Sequence, residues 1–180
     1  MSAAPVDTVG PSALGGRQAA ARPFRVLVAG ILSAQTKDQA VADAVERLDG
    51  LGGGLCASAI LGVPDADLAD MLHGVSFHKR KAQYLKAVAS KVAECGGQVP
   101  QSVRELMALP GVGPKIAHLV AQVAFGKVEG IVVDTHVHRI CNAIGWASGR
   151  TPEQTRRALE AWLPRGLWAE LTGPRNLRMR

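Results

Sequence analysis

The sequence predicts an all-α protein. Apolar residues recur at helical spacing through most of the chain, and glycines and prolines separate the segments that carry them. The one run that reads as a strand, residues 128–133, has no second run to pair with.

Taken in order, residues 1–22 are rich in Ala, Gly, Ser and Pro without periodicity and read as a flexible arm. Pro23 stands where a first helix opens; that helix, over 24–35, is almost continuously apolar and belongs at the centre of the core. Thr36-Lys37-Asp38-Gln39 reads as a capping box for a helix to about residue 48, ended by Asp49-Gly50 and by Gly52-Gly53-Gly54. Short helices over 57–61 and 66–72 follow, the second begun by Val63-Pro64-Asp65. After the turn His73-Gly74-Val75-Ser76-Phe77, residues 78–94 put Ala82, Leu85, Val88, Ala89 and Val92 on one face and lysines on the other. Ser102 is placed to cap a helix over 103–109; further helices are expected over 114–125 and 134–146. Thr151-Pro152-Glu153-Gln154 repeats the capping pattern, with proline at the first helical position, and begins a helix to about 163. Residues 173–180 are basic and unpatterned, and are expected to be disordered.

At 180 residues and 47% hydrophobic, the chain is large enough for one compact domain or two small lobes. A net charge of +6 and a pI near 9.7 favour a polyanionic partner. With only 4% aromatic residues, serial stacking on single-stranded bases fits poorly, and contact with the phosphates of duplex DNA fits better. Cys56, Cys95 and Cys141 are odd in number and far apart, and read as buried thiols of a reducing compartment. The first residues show neither a secretory signal nor a transit-peptide pattern, and no stretch is apolar for long enough to span a membrane.

Chemistry concentrates in Leu109-Pro110-Gly111-Val112-Gly113-Pro114-Lys115. Gly111 and Gly113 permit positive φ and let another molecule approach with no Cβ in the way, while Pro114 suits the first turn of a helix. Unpaired amides at that helix start make an anion site, with Lys115 beside it. A glycine pair between helices also serves as a plain turn, and a lysine there as a solvated charge. A second segment, Val132-Val133-Asp134-Thr135-His136-Val137-His138-Arg139, puts one carboxylate between an apolar run and a new helix. Asp134 reads there as an N-cap worth about 1 kcal/mol, as a catalytic acid–base group, or as both. His136 and His138 point in different directions on a helix and have no third ligand near them in sequence, so no metal is expected. Ser33 lacks the glycine elbow of a serine nucleophile.

With Leu32-Ser33-Ala34-Gln35-Thr36-Lys37-Asp38-Gln39 preceding them, these motifs resemble endonuclease III, and most closely its eukaryotic branch. The resemblance runs from about residue 4 to about 171. It implies a two-lobed helix-hairpin-helix DNA glycosylase fold over 23–172: a six-helix lobe over about 36–146 and a second, truncated lobe from the N- and C-terminal segments, with the site in the cleft between them. It implies a bifunctional glycosylase and abasic-site lyase that removes oxidised pyrimidines from duplex DNA. Lys115 would be the nucleophile and Asp134 the carboxylate that steadies charge on the sugar. Gly111, Val112 and Gly113 would grip phosphate, and Gln35 would fill the gap left by the rotated base, although a polar residue bonding to backbone is its plainer reading. The turn Val75-Ser76-Phe77-His78-Lys79 would wedge the opposite strand, with His78 where the family often carries a large aromatic residue. Lys37, Lys79, Arg80 and Lys81 are candidate phosphate contacts or merely solvated charges.

One part of the family pattern is missing. The four cysteines that hold a [4Fe–4S] cluster have no counterpart after Cys141, so no cofactor is expected. The chain is then a cluster-free member or an incomplete or alternative product. The resemblance further implies a monomer in the nucleus or mitochondrion. Its rivals are a monofunctional adenine-type glycosylase, against which Lys115 stands, and a catalytically impaired or non-catalytic helix-hairpin-helix DNA-binding protein.

Overall fold

A computed structural model describes residues 22–172; the arm expected over 1–22, apart from Arg22, and the tail over 173–180 lie outside the described residues. The described residues are helical without any strand, and fall into two compact units divided between Val112 and Gly113. Among them no helix is long and apolar enough to cross a membrane.

The first unit holds α1 (Arg22–Ser33), α2 (Asp38–Asp49), α3 (Ala57–Gly62), α4 (Asp65–Met71), α5 (His78–Glu94) and α6 (Val103–Met107). Phe24, Val26, Leu27, Val28, Ala29, Ile31 and Leu32 are all buried, so α1 is apolar nearly all round, as a helix inside a core must be. The longer α5 packs on α1, α3 and α4 and buries the predicted stripe from Ala82 to Val92.

Three lysines of α5 close the C-terminal ends of three neighbours. Lys81 Nζ donates to Leu32 and Ala34 at the end of α1, Lys86 Nζ to Leu61 and Val63 at the end of α3, and Lys91 Nζ to Ala108 at the end of α6. Successive members are five residues apart, which turns them about 140° round the helix and aims each at a different neighbour. Arg47 does the same for α4, donating to the Met71 and His73 carbonyls at 2.7 and 2.8 Å. Cations at the negative end of a helix dipole satisfy carbonyls that the helix leaves unpaired.

Two local expectations fail here. Thr36 does not cap α2; the N-cap is Lys37, with no side-chain bond. The Thr36 hydroxyl is held instead by the Ser76 amide and the Lys81 ammonium, partners 40 and 45 residues away. Helix ends are also shorter than periodicity alone predicts, α1 stopping at Ser33 and α6 at Met107.

The second unit holds α7 (Pro114–Phe125), α8 (Thr135–Ala143), α9 (Pro152–Glu160), a 3₁₀ turn (Arg165–Leu167) and α10 (Trp168–Thr172). Gly126, at φ 68°, closes α7, and the Lys127 amide reaches back to Ala121 in a Schellman-type end. The apolar run 128–133 is extended but joins no sheet; the Ile131 amide donates to Glu160 Oε1 at 2.8 Å instead. Ile131, Val133, Val137, Cys141, Leu159 and Trp168 form the core beneath it. Thr151 caps α9 through the Gln154 amide, as the sequence predicts.

Candidate active site

Leu109, Pro110, Gly111 and Val112 form a type II turn: Pro110 supplies the fixed φ, Gly111 lies at φ 78°, and the Val112 amide donates to the Leu109 carbonyl at 3.2 Å. Val112 is buried, and its amide closes the turn, so the expectation that it grips phosphate is corrected. The two glycines differ in kind. A Cβ on Gly111 would stand 2.6 Å from Tyr84 Cδ2, so its bareness serves packing within the protein. Gly113 is extended, at φ −95° and ψ 178°, and a Cβ there would meet nothing within 4 Å. The expectation that both glycines take positive φ and face a ligand is corrected: Gly111 takes the φ, and Gly113 keeps the open face.

No side chain caps α7, which begins at Pro114 as its first residue. Lys115 is the second, and it is exposed. An uncapped helix start with a cation beside it is an anion-binding arrangement.

Asp134 is the N-cap of α8. Both capping bonds, from the His136 and Val137 amides at 2.8 Å each, fall on Oδ1, so Oδ2 stays outside the cap. One carboxylate is thereby fixed by its fold role and still presents an oxygen. Gly130, four residues earlier, lies against His118 of α7, one turn beyond Lys115; a Cβ there would meet His118 Cε1 at 2.4 Å and Glu160 Oε1 at 2.7 Å. The segment leading to Asp134 is thus seated on α7, the helix whose first turn carries Lys115. Burial first, and Arg156 second, hold the His118 pKa below the usual histidine value.

His138 is used structurally: its Nδ1 pairs with the fully buried Thr155 hydroxyl at 2.7 Å, and Asn142 Nδ2 donates to that hydroxyl and to the His138 carbonyl. His136 is exposed. Among the described residues no three His, Cys, Asp or Glu side chains cluster as metal ligands.

Within the first unit, Gln35 and Phe77 are the non-glycine residues at positive φ among those described, at 54° and 57°. Both are exposed, Phe77 to 66%. Each left-handed conformation costs on the order of 1–3 kcal/mol and persists only where surroundings enforce it. The sequence reading put the wedge on the whole 75–79 turn; the side chain that projects is Phe77, with His78 half-buried behind it. Lys37 and Lys79 are exposed; Lys79 lines a hollow of about 390 Å³ with Asp65 and Asp70.

Lys81 is not a phosphate contact. It is 5% exposed, and its ammonium donates to the Leu32 and Ala34 carbonyls and the Thr36 hydroxyl at 2.7, 2.6 and 2.9 Å, which uses all three protons. The cysteines are not uniformly buried either: Cys141 is, Cys56 is half-buried and Cys95 exposed. Tyr84, His118 and Glu160, which shape the hairpin and the approach to Asp134, carry no local sequence signal.

The family model described as HhH-GPD superfamily base excision DNA repair protein matches residues 28–165. Endonuclease III-like protein 1 of Bos taurus is 46% identical over 175 residues, covering 94% of this chain and 57% of the relative. Endonuclease III of Thermotoga maritima is 38% identical over 152 residues, covering 84% of this chain and 70% of that one. A solved endonuclease III trapped as a covalent intermediate with DNA superposes with a TM-score of 0.78 at 30% identity, over 84% of this chain and 71% of that one. The chain spans a little over half the length of the bovine relative.

Proposed function

This chain belongs to the endonuclease III family of the HhH-GPD superfamily of base excision DNA repair proteins, and we propose that it is a DNA glycosylase with abasic-site lyase activity on oxidised pyrimidines in duplex DNA. The observation that carries the reading is an exposed lysine in the first turn of a helix that no side chain caps, behind a glycine with open space where its Cβ would stand. That combination binds a phosphate and leaves an amine next to it.

The Lys115 amine attacks the sugar C1′; the damaged base departs with the electrons of the glycosidic bond, and the nitrogen gives up its proton. Asp134, through the oxygen its cap leaves unused, steadies the cationic sugar and accepts that proton. The sugar ring opens to an imine, loss of a C2′ proton expels the 3′ phosphate, and water releases the enzyme. The carbonyl-like electrophile suits an amine, since a lysine imine divides one hard step into two easier ones.

Gly111 and Gly113 hold backbone phosphate through their amides; the Val112 amide, expected to join them, is taken by the Leu109 carbonyl. Gln35 and Phe77 are the residues offered to the opened duplex: Gln35 with hydrogen-bonding capacity toward the unpaired partner base, Phe77 with an apolar wedge between bases. Lys37 and Lys79 add long-range attraction to the backbone. A [4Fe–4S] cluster does not fit the residues of this chain, since its three thiols are one short of the required four. We assign a monomer working in the nucleus or mitochondrion.

Exposed Ile140, Ile144, Trp146, Trp162 and Leu167 in the second unit favour a second reading, a chain that grips DNA with impaired chemistry. Borohydride trapping on a duplex with one abasic site decides. The expected result is a covalent product with the wild-type chain and none with Lys115→Gln, which still binds the duplex. Trapping of the variant at the wild-type level overturns the assignment of Lys115; salt-sensitive binding by the wild type without trapping leaves the second reading.

A further inference from the structure

Lys37, Lys79, Arg80 and Lys115 are exposed, whereas Lys81 is buried among neutral oxygens. Its surroundings are specific. The ammonium bonds the carbonyl of Ala34, the residue before Gln35, and the hydroxyl of Thr36, the residue after it. That same hydroxyl donates to the Ala34 carbonyl at 3.2 Å and accepts from the amide of Ser76, the residue before Phe77. The Lys81 backbone amide, in turn, donates to the Phe77 carbonyl at 3.0 Å. With one donated and two accepted bonds, the Thr36 hydroxyl is saturated, and so is the ammonium.

We propose that Lys81 is a positioning residue that locks the Gln35 turn and the Phe77 turn to each other, so that the two side chains enter an opened duplex as one preformed unit. The proposal rests on the glycosylase reading above. Two exposed residues held in left-handed backbone need enforcement: the Thr36 hydroxyl bridges the two turns, and Lys81 fixes that hydroxyl and the Ala34 carbonyl through its ammonium while its backbone amide takes the Phe77 carbonyl. Its bonding requires the charged form, since three acceptors face it and a neutral amine has only two protons to give. Burial pushes its pKa down to about 8, which leaves the ammonium dominant at neutral pH. The end of α1 helps, because Leu32 and Ala34 present carbonyls at the negative end of that helix's dipole. A lysine is suited to such a node, being a compact cation on a flexible stem that satisfies acceptors from three directions.

If the turns are locked together, their loss hurts the step that takes a paired base out of the stack more than the step that follows once no base remains. Lys81→Met, in the full chain, removes the node with little change in volume. Single-turnover base release from a duplex carrying one thymine glycol opposite adenine is expected to fall at least tenfold. Borohydride trapping on a preformed abasic duplex is expected to fall less than threefold. Thr36→Val, which keeps the ammonium and removes the shared hydroxyl, is expected to show the same split to a smaller degree and serves where Lys81→Met does not fold. A merely structural role lowers both rates by one common factor through the active fraction, and that result, or no effect on base release, overturns the proposal. Wild-type protein that traps on neither substrate overturns the glycosylase reading itself, which is a different outcome from an equal loss in the variants.

Discussion

Gly111 lies against the ring of Tyr84 so closely that a Cβ would stand 2.6 Å from Cδ2 and 3.0 Å from Cγ. The ring is also under Arg80, whose guanidinium carbon is 5.5 Å from its centroid. The turn that presents the hairpin amides is therefore seated on α5, and its geometry depends on the absence of one methyl group.

Gly111→Ala is expected to cost about 2–4 kcal/mol, from the left-handed backbone and the forced shift of Tyr84 together. Gly113→Ala is expected to leave stability within about 0.5 kcal/mol, because its backbone is extended and its Cβ meets nothing. It should nevertheless weaken binding to an abasic duplex severalfold, since the methyl stands on the open face. Thermal unfolding by circular dichroism and fluorescence anisotropy with labelled duplex separate the two. Equal stability losses would contradict the distinction drawn between these glycines.

Asp134 carries two roles that substitution can pull apart. Asparagine caps a helix about as well as aspartate, so Asp134→Asn should stay within about 0.5 kcal/mol of the wild type, whereas Asp134→Ala should lose about 1 kcal/mol. Both should lose base release by at least two orders of magnitude if the carboxylate charge acts on the sugar. Urea unfolding followed by tryptophan fluorescence is suited to this, because Trp146, Trp162 and Trp168 all lie in the second unit with Asp134. An Asp134→Asn variant that releases base at the wild-type rate would reduce the residue to a cap.

Much of this was legible in the sequence where the cause is local. Pro110-Gly111 dictates a type II turn, Pro114 the start of α7, Thr151-Pro152 the start of α9, and Asp134 the cap of α8, because each depends on atoms within about four residues. The fold family followed from motif order rather than from any one helix. What could not be read is what distant partners decide. Thr36 has the pattern of a cap, yet Ser76 and Lys81 take its hydroxyl; Lys81 has the pattern of a surface charge, yet the end of α1 buries it. Local chemistry offered each residue a role, and a tertiary partner with better geometry overrode it. The exposure of Phe77 ahead of His78 is of the same kind, set by the left-handed turn that precedes α5.

Acid should loosen the second unit in two stages. His118 is buried with its Nδ1 unpaired, and burial foremost, with Arg156, depresses its pKa below 6.5 while Glu160, Glu153 and Glu129 oppose the shift. The folded state therefore keeps the imidazole neutral at pH values where the unfolded chain protonates it. Stability is full above pH 6.5 and falls as pH drops through the depressed folded value. Glu153 is pulled down to about 2, chiefly by its hydrogen bond to Arg156, against the cost of burial and with help from Arg157. Its contribution is full above the ordinary glutamate value of 4.5 and disappears between there and about 2. The group is partly exposed and water screens it, so this second stage should be shallow. Urea midpoints followed by tryptophan fluorescence should hold level from pH 8 to 6.5, then decline, with a further decline below 4.5. His118→Leu removes the ionisable group and the unpaired nitrogen together, and should flatten the first stage while leaving the second. A variant whose midpoint declines with the wild-type slope between pH 6.5 and 5 would assign that stage to some other group.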